Sequence, residues 1–179
     1  MDKQQLKYCA EVLRFRKVLN LTSIRDEHVF YKRFIEPSIA LSEWIPQGAQ
    51  VLDIGSGMGV PGIPLLIHRS DITAILVERR KKRTEFIRHV VRKLALKSEV
   101  YDADIFDLPP LEATVCVARA VSDVKTLLQM CNQHIVVGGL AVLPVPDDVF
   151  LPDITGWKLV QKDVDNPLQR VVCYEKKEG

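Results

Sequence analysis

Residues 51–65, reading VLDIGSGMGVPGIPL, constrain this chain more than any other stretch. Residues 51–54 read as a short buried strand. Glycines then recur at alternate positions, Gly55, Gly57 and Gly59, and Pro61-Gly62 leads into an apolar helix start over residues 63–67. A strand, a glycine turn and a helix N-terminus form the loop that holds a nucleotide-like ligand at the edge of a parallel sheet. Glycine suits it because the chain turns sharply and its backbone approaches the ligand closely. Pro61 near the first helical position costs little, since an N–H there has no intrahelical partner.

Two ligands compete for such a loop. Residues 57–62 spell GxGxxG, the dinucleotide pattern, but the fuller description is D-x-G-x-G-x-G with Asp53 at the strand end. A dinucleotide brings a negative pyrophosphate, and a carboxylate there gains nothing from it. S-adenosylmethionine has no phosphate and carries an ammonium and a sulfonium, which an acid suits. The expected cofactor is therefore S-adenosylmethionine, against Asp53, Gly55, Ser56, Gly57 and Gly59. The competing reading is that Asp53 only caps the turn and the glycines only permit it.

A chain of 179 residues with 47% apolar content fills one domain. The expected division is a helical extension over residues 1–46, packed on a core over residues 47–179. A net charge of +2 names no partner. Cys9, Cys116, Cys131 and Cys173 are far apart and make no C-x-x-C pair, so they read as reduced packing residues. The four histidines are scattered as well, and no metal site is expected. No apolar run approaches membrane-spanning length and the N-terminus lacks a signal-peptide core, so a cytoplasmic, non-membrane protein, a monomer, is expected.

Along the chain, residues 4–19 read as an amphipathic helix with Leu6, Cys9, Ala10 and Leu13 on its buried face. Thr22 or Ser23 is the candidate cap for a helix over residues 26–36, which Pro37 restarts toward Ile45. Beyond the glycine loop, residues 73–77 form a strand ending in Glu78, which follows Gly59 by 19 residues. An acid there bonds ribose hydroxyls in dinucleotide and S-adenosylmethionine folds alike. Residues 79–97 read as a helix on the sheet. Nine Lys/Arg stand there against one acid, Glu85. The run Arg79, Arg80, Lys81, Lys82 and Arg83 is the candidate contact for a phosphate backbone, against the reading of a solvated face. A third strand, 99–101, precedes Asp102, Asp104 and Asp107, and an acid here, with Asp104 the candidate, could meet an adenine amino group. A fourth, 113–118, ends at Arg119, on the sheet edge where ligands bind. A helix capped by Ser122, a fifth strand over 140–145, and an antiparallel edge pair over 157–164 and 168–175 complete the order. The fold class expected is α/β: a doubly wound, Rossmann-like sheet, mostly parallel with an antiparallel C-terminal strand, preceded by helices.

Residues 20–25 (NLTSIR), the LDIGSGMGVPGIPL loop, Ala118-Arg119-Ala120, Gly138-Gly139 and Arg170-Val171-Val172 follow one another in that order. Together they resemble the bacterial small-subunit ribosomal RNA guanine-N7 methyltransferases, the glucose-inhibited division protein B (GidB) family. The resemblance implies a class I methyltransferase that uses S-adenosylmethionine on a guanine of 16S ribosomal RNA, with RNA or the small subunit as partner. It carries cofactor positions onto Gly55, Val60, Ile105, Phe106 and Arg119. The chain departs from the family pattern at Phe34 and Pro37, where His and Asp are usual, and at residues 104–106, where Arg-x-Glu is usual. It departs again at Pro144, where Lys is usual, and in a shorter N-terminal extension. These departures leave the cofactor side intact and alter the substrate side. A methyltransferase of another RNA or of a small molecule, and an RNA-binding protein with lapsed catalysis, are the alternatives. Methylation of guanine N7 requires no general base, since N7 already carries a lone pair; alignment suffices.

Overall fold

A computed structural model describes residues 2–119, 123–161 and 170–178. Five strands, β1 (Gln50–Ile54), β2 (Thr73–Val77), β3 (Ser98–Tyr101), β4 (Ala113–Val117) and β5 (Ile135–Val145), pair in parallel. β6 (Trp157–Gln161) and β7 (Arg170–Lys176) complete a seven-stranded sheet of order β3-β2-β1-β4-β5-β7-β6. The last two strands pair antiparallel at one edge of the sheet, as expected, with their order exchanged. β7 inserts between β5 and β6 and runs antiparallel to both. Arg170, Val171 and Val172 are thereby placed inside the sheet. The turn expected at residues 165–167 lies outside the described residues. β1 is flanked by β2 on one side and β4 on the other, so strand order reverses at β1 and opens a crevice beyond the strand ends.

Both faces of the sheet are covered, which is why Val51, Leu52 and Ile54 of β1 and Val115, Cys116 and Val117 of β4 are all buried. The helices α1 (Lys3–Phe15), α4 (Gly62–His68) and α5 (Lys81–Leu94) lie on one face, sharing a core with Val51, Val115 and Val142. On the other face α6 (Val124–Cys131) and a 3₁₀ turn, Ile105–Asp107, pack over Leu52, Ile54 and Cys116. No helix among the described residues is long and apolar enough to cross a membrane.

The N-terminal layer corrects the sequence reading in two places. α1 stops at Phe15 and turns a different face inward: Tyr8, Cys9 and Val12 are buried with Gln5 and Glu11, while Leu6 and Ala10 are exposed. Polar bonds choose that face. Gln5 closes a capping box with Asp2, and the Tyr8 hydroxyl donates to the Met58 carbonyl at 2.9 Å. Glu11 accepts from Lys93 Nζ at 2.7 Å and pairs with His89.

The second difference lies at residues 27–44, a nearly continuous helical path in place of two helices. It runs through α2 (Glu27–Phe30), a π-turn (Tyr31–Ile35), α3 (Glu36–Ala40) and a 3₁₀ turn (Leu41–Trp44). Its cap is Asp26, which accepts from the Val29 N–H, whereas Thr22 accepts from the Ile24 N–H two residues on. Pro37 is absorbed rather than used as a new start. Proline offers no N–H to the carbonyl four residues back. The π-turn just before it widens the ladder, with the Glu36 N–H reaching Tyr31 O.

α5 is shorter than the expected 79–97, with Arg80 at its N-cap and Ala95 closing it in the left-handed conformation at φ 52°. α6 is capped by Asp123, which accepts from the Thr126 N–H at 3.0 Å. Ser122, the expected cap, lies outside the described residues.

Candidate active site

The glycine loop is fastened to the end of β2, where Gly55 N–H and Ser56 N–H donate to Val77 O at 2.9 and 3.0 Å. Gly57 sits at φ +59°, and a Cβ there would meet only Gly55 O at 3.8 Å and Arg83 Nη1 at 3.9 Å. Its open side is room for a ligand to lie against backbone. Gly59, at φ +96°, is tight instead: a Cβ would fall 2.2 Å from Ile63 Cδ1.

Asp53 is fully enclosed. Its Oδ2 accepts from the Gly62 N–H at 3.0 Å, across the loop to the start of α4. Its Oδ1 is buried without a partner. Burial pushes the carboxyl up to about 7 against the lowering effect of the Gly62 hydrogen bond, and nearby Glu78 adds to the rise. Ser56 is also buried and donates its hydroxyl to Asp53 O at 3.0 Å. The geometry gives Asp53 and Ser56 to the loop's own closure. These are the bonds that the turn-capping alternative expects.

Beside the loop, over β1, β2 and the 3₁₀ turn, lies a cleft of about 290 Å³. That is the lower end of the range for small-molecule sites, roughly 300–1,000 Å³. Ile54, Val77, Ile105 and Met130 give it an apolar lining, Gly55, Glu78, Ala103 and Asp104 a polar side, and Arg79, Arg80 and Arg83 its cationic edge. Glu78 is buried, with Oε2 accepting from Gly57 N–H at 3.0 Å and Oε1 from Arg80 N–H at 2.8 Å. It therefore couples the glycine loop to the head of α5. Asp104 caps the 3₁₀ turn by accepting from the Phe106 N–H at 3.2 Å.

Of the residues singled out in the sequence, Gly55, Glu78, Asp104 and Ile105 line this one cleft, with Gly57 at its rim through Glu78. Gly59 and Val60 are packed into the fold, and Phe106 is 58% exposed, outside the cleft lining. The basic run is divided. Arg79, Arg80 and Arg83 edge the cleft, and Arg83 Nη2 donates to Asn20 O at 2.8 Å, while Lys81 and Lys82 are exposed on α5. Farther along α5, Arg88 pairs with Glu85 and Lys93 with Glu11, each at 2.7 Å. Met130 and Tyr8 join the site or its support without any motif to mark them.

Arg119 lies on the other flank of β1, at the end of β4. It is half-buried, its Nη2 donates to Arg33 O at 2.9 Å, and its Cζ stands 4.6 Å from the Phe34 ring centroid. Its Nη1 is buried without a partner. Burial, and then the charge of Arg33, push its pKa down.

Residues 1–143 match the family described as GidB, rRNA small subunit methyltransferase G. A protein named Ribosomal RNA small subunit methyltransferase G from Magnetococcus marinus is 33% identical over 148 residues, covering 79% of this chain and 67% of that protein. One of the same name from Desulfotalea psychrophila is 37% identical over 130 residues, covering 69% and 59%. The chain thus spans about three-fifths to two-thirds of the length of these relatives. Among solved structures, a mutant of MtNAS in complex with S-adenosylmethionine superposes with a TM-score of 0.67 at 19% identity, covering 98% of this chain and 73% of that one. P. horikoshii TYW2 in complex with MeSAdo gives 0.61 at 13% identity, covering 80% and 61%. The seven-stranded sheet, parallel except for β7, is the class I S-adenosylmethionine-dependent methyltransferase fold. By its sequence match over most of its length, the chain belongs to the GidB family, rRNA small subunit methyltransferase G.

Proposed function

We propose that this chain is an S-adenosylmethionine-dependent methyltransferase acting on N7 of a guanine in 16S ribosomal RNA. The observation that carries the cofactor assignment is the cleft beside Gly57. There an open glycine backbone, a buried acid bonded to that backbone and an apolar lining converge on a space of small-ligand size. The apolar lining suits a purine, and the free lone pairs of Glu78 suit ribose hydroxyls. Asp104 at the rim suits an amino group. Gly55, Gly57, Glu78, Asp104 and Ile105 are the residues assigned to the cofactor. When bound, S-adenosylmethionine supplies an electrophilic methyl group.

The chain's own residues then have mainly to align and exclude water. Guanine N7 needs no deprotonation, and orientation alone supplies a large part of such a rate enhancement. This agrees with a cleft edged by arginines, which are permanently charged donors and not bases. The purine gains positive charge as its new bond forms, which a carboxylate or carbonyl oxygen beside it would favour. Arg79, Arg80, Lys81, Lys82 and Arg83 are assigned to the RNA backbone.

Radiolabelled methyl transfer tests the proposal, with 16S ribosomal RNA offered free and in assembled small subunits and the product nucleoside identified. The expected product is 7-methylguanosine. No transfer to either form overturns the enzymatic reading, and a methyl group on another atom overturns the guanine-N7 assignment.

A further inference from the structure

The end of α1 and the head of α5 leave an apolar groove of about 560 Å³ between them, apart from the cleft. Phe15, Val18 and Leu19 form one wall. They recur at helical spacing, which continues past the end of α1 because the Leu19 N–H donates to Phe15 O at 3.1 Å. Lys82, Phe86 and His89 recur likewise on α5 and form the other wall. The Phe15 ring meets Phe86 and His89 in T-shaped contacts, 5.8 and 5.7 Å between centroids. Polar bonds fasten the two walls beyond both ends of the groove. Glu11 accepts from Lys93 Nζ at 2.7 Å, and Arg83 Nη2 donates to Asn20 O at 2.8 Å.

The outer lip is apolar, with Val18 81% exposed. Contiguous apolar surface rimmed by charge marks an interaction site, and here the rim is cationic. Lys81 and Lys82 are exposed and, among the described residues, in no salt bridge. The carboxylate in the lining, Glu85, is already held by Arg88 at 2.7 Å. On the α1 side, residues 14–17 add Arg14, Arg16 and Lys17 with no acid. The groove therefore suits an occupant that sets an apolar part beside an anionic one. A nucleotide of single-stranded RNA does so, with a base that buries against aromatic and aliphatic side chains and phosphates that meet lysines. We propose that the groove takes one unstacked base of the RNA substrate, with the flanking phosphates on Lys81 and Lys82. The site rests on the RNA-methyltransferase reading above and extends it. Arg80 and Arg83, on either side of the two lysines in sequence, edge the cleft, so RNA lying along those arginines continues onto the lysines of the groove. An acidic protein segment is the other occupant that fits such a groove. RNA is favoured because the chain belongs to the rRNA small subunit methyltransferase G family.

The test uses the full chain with transcribed 16S ribosomal RNA across a salt series, S-adenosylhomocysteine by titration calorimetry, and ultraviolet crosslinking of the unaltered protein to the same RNA. Phe15→Leu keeps an apolar side chain and removes the ring. It is expected to weaken RNA binding at fixed salt by at least about fivefold, the lower end for taking an aromatic support from one base. The log–log salt slope is expected to stay as in the wild type, because an uncharged side chain releases no counterion. S-adenosylhomocysteine affinity is expected to stay as well, since the groove and the cleft share no lining residue. Crosslinked nucleotides are expected on residues 15–19 or 86–89, read by peptide mass spectrometry. That measurement needs no substitution and decides the question even where Phe15→Leu fails to fold. Unchanged RNA affinity in folded Phe15→Leu, or crosslinks confined to other segments, overturns the base site. Weaker binding to assembled small subunits with unchanged binding to free RNA also overturns it, and gives the groove to a ribosomal protein. Dimers that Phe15→Leu disperses, with RNA binding unchanged, give it to a second copy of the chain. Wild-type protein that binds no RNA refutes the RNA reading itself, whereas RNA binding insensitive to Phe15→Leu leaves that reading standing.

Discussion

Gly57 and Gly59, two residues apart, answer to different neighbours. A side chain at Gly59 collides with Ile63, whereas one at Gly57 projects into open space. Gly59→Ala is therefore expected to destabilise the fold by about 1–3 kcal/mol through overpacking and backbone strain, seen as a lower melting temperature. Gly57→Val is expected to abolish S-adenosylhomocysteine binding in calorimetry while a two-state melt persists. Equal loss of melting temperature in both variants, with binding retained by Gly57→Val, would remove Gly57 from the ligand's path. Asp53 gives a pH dependence. Its folded-state pKa of about 7 stands above the unfolded value, so the folded chain keeps a proton that the unfolded chain releases. The stability from that group is whole below about pH 4 and is lost as pH rises to about 7. Asp53→Asn cannot ionise, so wild type is expected to lose stability relative to the variant across that window. A constant offset in melting temperature from about pH 4 to about pH 8 contradicts this. The residue types of the loop were legible in the sequence, and their partners were not. Nothing in a linear reading shows that the Gly62 N–H, nine positions on, lies within hydrogen-bond reach of Asp53.

At the scale of elements, α5 carries the clearest charge signal and the clearest division of roles. Arg88 and Lys93 are engaged with Glu85 and Glu11, which leaves Lys81 and Lys82 at its exposed head. Replacing both lysines by Ala is expected to flatten the salt dependence of RNA binding by roughly 0.7–0.9 for each phosphate no longer neutralised and barely to move the melting temperature. Removing Arg88 is expected to leave the slope alone, because that side chain is held by Glu85 and by Val100 O at 3.1 Å. A steepened or unchanged slope in the double lysine variant would make the run a solvated face. α1 shows what periodicity misses. Its apolar spacing fits more than one face, and the buried Tyr8 and Glu11 decide between them by reaching Met58, Lys93 and His89. The helical path over residues 27–44 was hidden for a related reason. Proline reads as a break, yet a widened turn lets the helix pass it.

For the whole molecule, alternation of strand and helix was enough to foresee a parallel sheet, because right-handed crossovers leave few alternatives. The insertion of β7 was not legible, since hairpin strands read identically at an edge or inside. The sheet's switch point at β1 places the cleft on the β2 side and Arg119 on the β4 side. Ligand linkage gives the check. S-adenosylhomocysteine at a hundredfold its dissociation constant is expected to stabilise the fold by about 2.7 kcal/mol, several degrees of melting temperature for a chain of this size. NAD at the same concentration is expected to leave it unchanged. The reverse pattern would return the glycine loop to the dinucleotide class.

All four thiols are sealed: Cys9, Cys116 and Cys131 are 0% exposed and Cys173 is 2%. Burial also raises the pKa of Cys9 to about 12 and that of Cys173 to about 11, which suppresses the reactive thiolate. The four lie in four different elements: α1, β4, α6 and β7. The protein therefore carries its own set of clocks. In an alkylating reagent each cysteine is modified only as fast as its surroundings open. Cys9 and Cys131, each on a helix, are expected to be modified before the strand thiols Cys116 and Cys173, which wait for the sheet to part. Peptide mapping of the labelled chain would time the helices separately from the sheet, without any substitution in the sequence.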